Sequence, residues 1–173
     1  MSLRRVAALG AILLLMGCSQ KIVVCPVPAV LADTASVTIF RAGTTPDLAN
    51  ELFTVSMTNA EADCVYNNKD AVVRSSMDLT FRAVRAPTSE EASYTVPYFV
   101  VVSENAKIFA KRAYNLRINF AAGAATALIT QSPEVPSIHI SNGKLPWNYQ
   151  LLSGFQMNDA QIEYAKKKNR YLP

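Results

Sequence analysis

Met77-Asp78-Leu79-Thr80-Phe81-Arg82-Ala83 reads apolar, polar, apolar, polar without a break. Side chains on a β-strand point alternately to opposite faces, so this stretch predicts a strand with one buried and one wetted face. The alternation runs through residues 71–85, with Met77, Leu79, Phe81 and Ala83 inward and Asp78, Thr80 and Arg82 outward. Just upstream, Asn67-Asn68-Lys69-Asp70 has the composition of a turn. Before that turn Phe53, Val55 and Met57 share one parity, and Ala60, Ala62, Cys64 and Tyr66 share the other. The apolar face changes parity near Asn59, which predicts a β-bulge or two separate strands. Residues 51–66 and 71–85 together predict a hairpin.

A second hairpin follows after an exposed loop rich in Pro, Ser and Glu over residues 86–93. Residues 94–103 and 107–120 flank a turn at Glu104-Asn105. Val100 and Val102 share a face with Ile108, Ala110, Tyr114, Leu116 and Ile118, and this is the predicted core face. The opposite face carries Phe99, Val101 and Phe109 beside Lys111, Asn115, Arg117 and Asn119. Two outcomes are open for the Phe99/Val101/Phe109 patch: another segment of the chain covers it, or it binds a partner. Pro97 cannot donate to a ladder, so its strand is an edge or is bulged there.

Shorter strands are expected around Val37, Ile39 and Phe40, at residues 126–131 and 137–140, and over residues 147–153. Asn142-Gly143 marks a turn. The single Trp, Trp147, is expected as a core or rim anchor. The chain ends in a helix: Asn158 with Gln161 three residues on fits a capping box, with Met157 and Ile162 spaced as its hydrophobic staple. The basic side chains Lys166, Lys167, Lys168 and Arg170 suit the last turn, as the helix dipole prefers. They are either a solvated terminus or a contact for anionic headgroups or an acidic partner. The whole predicts an all-β antiparallel immunoglobulin-like β-sandwich of about seven or eight strands with a short C-terminal helix. A half-open barrel is the second choice.

The start of the chain tells where the protein lives. Arg4 and Arg5 precede an apolar run from Val6 to Met16, too short to span a bilayer, and the run ends at Leu15-Met16-Gly17-Cys18. This is a secretory signal whose last four residues resemble the lipobox of bacterial lipoproteins: an aliphatic residue, a tolerant position, Gly or Ala, then Cys. The resemblance implies cleavage after Gly17, diacylglycerol on the Cys18 sulfur, and an acyl chain such as palmitate on its new amino group. In lipoproteins of this kind Asp after the Cys commonly retains the protein in the inner membrane. Ser19 therefore implies the outer membrane, on its periplasmic face. The predicted organisation is a signal peptide over residues 1–17, a lipidated tether over 18–34, the sandwich over 35–153, and the helix with its basic tail over 154–173.

Export changes how the remaining residues read. Arg4 and Arg5 are two of the 17 basic residues, so the other 15 face 13 acidic ones in the mature chain. That near balance is no nucleic-acid signature. Cys25 and Cys64 remain as an even pair in an oxidising compartment, where a disulfide is expected and two buried thiols are the alternative. With one His in the chain, these cysteines cannot complete a tetrahedral metal site, so neither a metal nor any other cofactor is expected. His139, between Ile138 and Ile140, reads as structural. No paired carboxylates or phosphate-binding glycines stand out, so an enzyme is not expected. What remains is an accessory or structural subunit of an envelope assembly, with a protein partner there. The alternative is a periplasmic carrier of a lipid or other apolar ligand.

Overall fold

The long hairpin is the frame of the molecule. In a computed structural model that describes residues 25–141 and 143–170, with the side chains of 169 and 170 left out, β3 (Glu51–Asn67) pairs antiparallel with β4 (Val72–Val84). The register shifts between Met57 and Asn59, at the bulge that the parity change predicts. Past it, Ala60, Ala62, Cys64 and Tyr66 pack against the core from the new parity. The inward set Met77, Leu79, Phe81 and Ala83 is fully buried, and Asp78 and Arg82 are exposed.

Two sheets stack around this frame as an all-β sandwich. One sheet runs β2 (Ser36–Phe40), β3, β4, β7 (Thr126–Gln131), with the two-residue β8 (Ile138–His139) also on β4. The other runs β1 (Val27–Val30), β9 (Gln150–Phe155), β5 (Ala92–Glu104), β6 (Lys107–Phe120). The core between them holds Phe53, Phe81, Tyr98, Phe120, Tyr149 and Phe155, with Met77 and the aliphatic residues filling in. Phe81 meets Tyr98 at 5.3 Å and Phe53 meets Phe120 at 5.9 Å, so aromatic contacts knit the two sheets.

Several expectations need correction. In the tether predicted for residues 18–34, the described part from Cys25 on is structured: β1 lies parallel to β9, with Val27 opposite Gln150 and Val30 opposite Ser153. The bridged Cys25 and β1 are therefore part of the folded body, nine strands are present among the described residues, and one edge pairing is parallel. The last strand reaches Phe155, two residues past the predicted limit. Ile108 is not in the core. A register shift between Val102 and Ser103 sets it opposite Ser103 and leaves it exposed. Pro97 sits where β5 becomes an edge, because β9 pairs only from Tyr98 onward.

The helix α1 (Asp159–Arg170) is capped as its sequence predicts. The Gln161 backbone donates to Asn158 Oδ1 at 2.9 Å, and the Asn158 backbone donates to Gln161 Oε1 at 3.0 Å. The helix rests along β2: the Phe40 and Tyr164 rings meet edge-on at 4.9 Å, and Gln161 Nε2 donates to the Thr38 carbonyl.

Candidate functional site

The signal peptide expected over residues 1–17 and the expected lipid site at Cys18 lie outside the described residues, but Cys25 does not. Cys25 is bonded to Cys64, with their Cα atoms 5.6 Å apart. Cys25 precedes β1 on the edge of one sheet, and Cys64 lies on β3 of the other. The bridge therefore joins the two sheets at one end of the sandwich. Seven Cα steps separate Cys18 from Cys25, a reach of at most about 25 Å at 3.3–3.6 Å per residue.

That end is defined by register. Val27 lies opposite Gln150, Gln150 opposite Ser103, and Ser103 opposite Ile108, a row across the whole sheet. The Val27 backbone donates to the Tyr149 carbonyl at 3.1 Å. The β5–β6 turn comes next, then the segment of residues 143–149. Lys144 forms an ion pair with Glu104, which fastens that segment to the turn. The Glu104 carboxylate holds the Lys144 ammonium above its ordinary range. Leu145 donates its backbone N–H to Asn148 Oδ1 at 2.8 Å, closing a 3-10 turn over Pro146–Asn148. Trp147 sits on this turn. It is a rim residue, 46% exposed.

Of the two outcomes open for the Phe99/Val101/Phe109 patch, cover by the same chain holds for Phe99 and Val101. Phe99 is 8% exposed and Val101 4%. Gly154 lies opposite Phe99 and Leu152 opposite Val101 on the same outer face. Thr34 folds over Gly154 beside the Phe99 ring, and the Lys111 ammonium lies 4.4 Å above that ring. Residues 98–102 form an unbroken apolar run, the mark of a strand covered on both faces. Phe109 parts from the other two at the bulge. Its ring meets the core residue Tyr149 at 5.6 Å, and it is 43% exposed at the bridged end.

The basic tail sits elsewhere. Lys168 pairs with Glu51 at 2.7 Å, and Lys166 with Glu163 at 2.8 Å. Lys167 is exposed, and the Arg170 side chain is outside the description. Glu51 opens β3 and Cys64 lies thirteen residues further along it, roughly 40 Å at 3.3 Å per residue. The tail is at the end away from the tether.

His139 is exposed and pairs with Val72 across a two-residue strand. Among the described residues no three His, Cys, Asp or Glu side chains converge as a metal set. Sequence reasoning missed Arg85, which is buried at the far end. Its Nε donates to the Ala124 carbonyl at 3.1 Å, its Nη2 to those of Glu90 and Ala121, and its guanidinium covers the Phe120 ring at 4.6 Å. It acts as a clamp on two loops, residues 85–91 and 121–125. A groove of about 440 Å³, lined by Val37, Ile39, Val96, Pro97 and Met157 together with the polar Gln156, Asn158 and Gln161, opens to solvent beside the start of α1.

Neither a family model, nor a curated protein, nor a solved structure matches the chain.

Proposed function

We propose that this chain is a non-enzymatic lipoprotein of the outer membrane, anchored through Cys18 on the periplasmic face, that serves as an accessory or structural subunit of an envelope assembly. The observation that carries the reading is the Cys25–Cys64 bond. It starts the folded body seven residues after the lipobox cysteine. A body held that close to an anchor suits a part that must stay at the membrane, and a ferry between membranes would want a longer leash. Ser19 favours the outer membrane. The aromatic filling of the sandwich favours an interaction module over a carrier, which would need that space for its ligand.

Crosslinking in intact cells, followed by identification of the captured neighbours, tests the role. The proposal expects a reproducible envelope-protein neighbour that is lost when the mature chain, carrying Cys18→Ala, is exported behind an ordinary cleavable signal and so leaves the membrane. Capture of lipids and no protein, from wild-type cells in which the chain is abundant, would speak for the carrier and against the subunit.

A further inference from the structure

The described residues expose nine large hydrophobic side chains, and six of them gather at the bridged end: Val27, Val65, Ile108, Phe109, Leu145 and Trp147. Leu48, Val84 and Leu128 are scattered elsewhere. Val27 and Ile108 close the two ends of the register row that Gln150 and Ser103 complete. Val65 follows Cys64 on β3. Phe109 lies on Tyr149, two residues past Trp147.

These side chains are held out by construction. The bulge after Val102 turns Ile108 away from the core, and bulges re-aim side chains in this way. The Lys144–Glu104 pair and the Leu145–Asn148 bond fix the turn that carries Trp147. Lys107 places its ammonium 4.9 Å from the Phe109 ring. Trp and Phe flanked by Lys stems suit the boundary between lipid headgroups and acyl chains, where a ring has an apolar body to bury and a cation has water to reach.

We infer that this end of the sandwich is seated on the lipid leaflet that holds Cys18, with Ile108, Phe109, Leu145 and Trp147 entering the interface. The inference rests on the lipoprotein reading, and the exit point of the chain selects the occupant. Residues 18–24 reach at most about 25 Å, and the opposite end lies roughly 40 Å further along β3. The exposed apolar end is thus the one the anchor keeps at the membrane. The end is mildly basic: Lys144 faces Glu104 and Lys107 lies over Phe109, while the β3–β4 turn carries Lys69 with Asp70 and Val65 lies opposite Arg74. Apolar insertion and contact with anionic headgroups therefore act together.

Trp147 is the only Trp of the chain, so its fluorescence reports this end alone. The mature lipidated protein is reconstituted into vesicles of phosphatidylethanolamine and phosphatidylglycerol, free of other protein. A fraction of lipid brominated near the top of its acyl chains serves as quencher, and the intact mass of the same sample is measured first. The expected result is an emission shifted to the blue of the unlipidated Cys18→Ala chain in buffer, and stronger quenching by shallow than by deep bromine labels. Ile108→Asp, at an exposed position, should reduce the shift and the quenching, whereas Leu128→Asp should leave both unchanged. A lipidated chain whose Trp147 keeps its buffer emission and escapes both labels would overturn the inference, leave the anchor standing and give this face to a protein partner. A mass without lipid would instead remove the anchor reading itself.

Discussion

Cys25 and Cys64 tie the edge of one sheet to a strand of the other, so the residue that enters the fold is also the one that locks its two layers. The bond closes a span of 39 residues. In the chain-entropy view such a loop contributes about 4 kcal/mol through the unfolded state. The double variant Cys25→Ser/Cys64→Ser should lose stability of that order in denaturant unfolding, and should leave β1 more open to amide exchange than β3. Equal protection in β1 would mean that its pairing with β9 holds it without the bond.

Gly154 is required by Thr34. A Cβ at position 154 would stand 2.0 Å from Thr34 Oγ1 and 3.1 Å from the Phe99 ring. Overpacking of this kind destabilises by about 1–3 kcal/mol. Gly154→Ala should show that loss in thermal or chemical unfolding, and Thr34→Ala in the same chain should restore part of it. Additive losses in the double variant would show that the two sites are not coupled.

Arg85 should be the least replaceable charge in the domain. Hydrogen bonds from a charged group are worth about 1.5–3 kcal/mol each, and truncation leaves three loop carbonyls to find water. Arg85→Met is expected to destabilise by about 3 kcal/mol and Arg85→Lys by less. The check is equilibrium unfolding alongside Arg82→Met, an exposed control of the same charge. Equal, small effects would reduce Arg85 to a surface residue.

Alkali should loosen the fold in a defined window. Burial pushes the Tyr98 hydroxyl up to about 12, and burial together with the Glu51 carboxylate does the same to Tyr164. Both groups hold their protons more tightly folded than unfolded, where a tyrosine titrates near 10. Their contribution is full below about pH 10 and is lost as pH rises toward about 12. Unfolding followed across that range should show a falling midpoint, and Tyr164→Phe should flatten part of the fall. A midpoint independent of pH from 9 to about 12 would contradict the raised hydroxyls of buried Tyr98 and of partly buried Tyr164 beside Glu51.

Much of this fold was legible because β3, β4 and β6 keep one face wet along most of their length. The alternation of Met77 to Ala83 and the parity change at Asn59 could be placed without coordinates, and so could the Asn158–Gln161 box. The misses have physical causes. β1 is four residues long, contains Pro28 and pairs in parallel, so it carries none of the alternation that marks a half-buried strand. The bulge after Val102 has no Gly to announce it, and one slipped residue moved Ile108 from the core to the surface. Phe99 and Val101 looked outward by parity, although the unbroken run around them already indicated cover on both sides. Arg85 is buried among carbonyls from loops that only the folded chain brings together. The apolar bridged end was legible only in part. Its members are Val27, Val65, Ile108, Phe109, Leu145 and Trp147, and no short stretch of sequence holds more than two of them.

The anchor is what the whole placement depends on, and the intact mass of the mature chain purified from membranes tests it most directly. The account predicts a first residue of Cys18 carrying diacylglycerol and an amide-linked acyl chain, with the other two cysteines together two hydrogen atoms lighter than their reduced form. A mature chain that starts elsewhere, or starts at Cys18 without lipid, would contradict it.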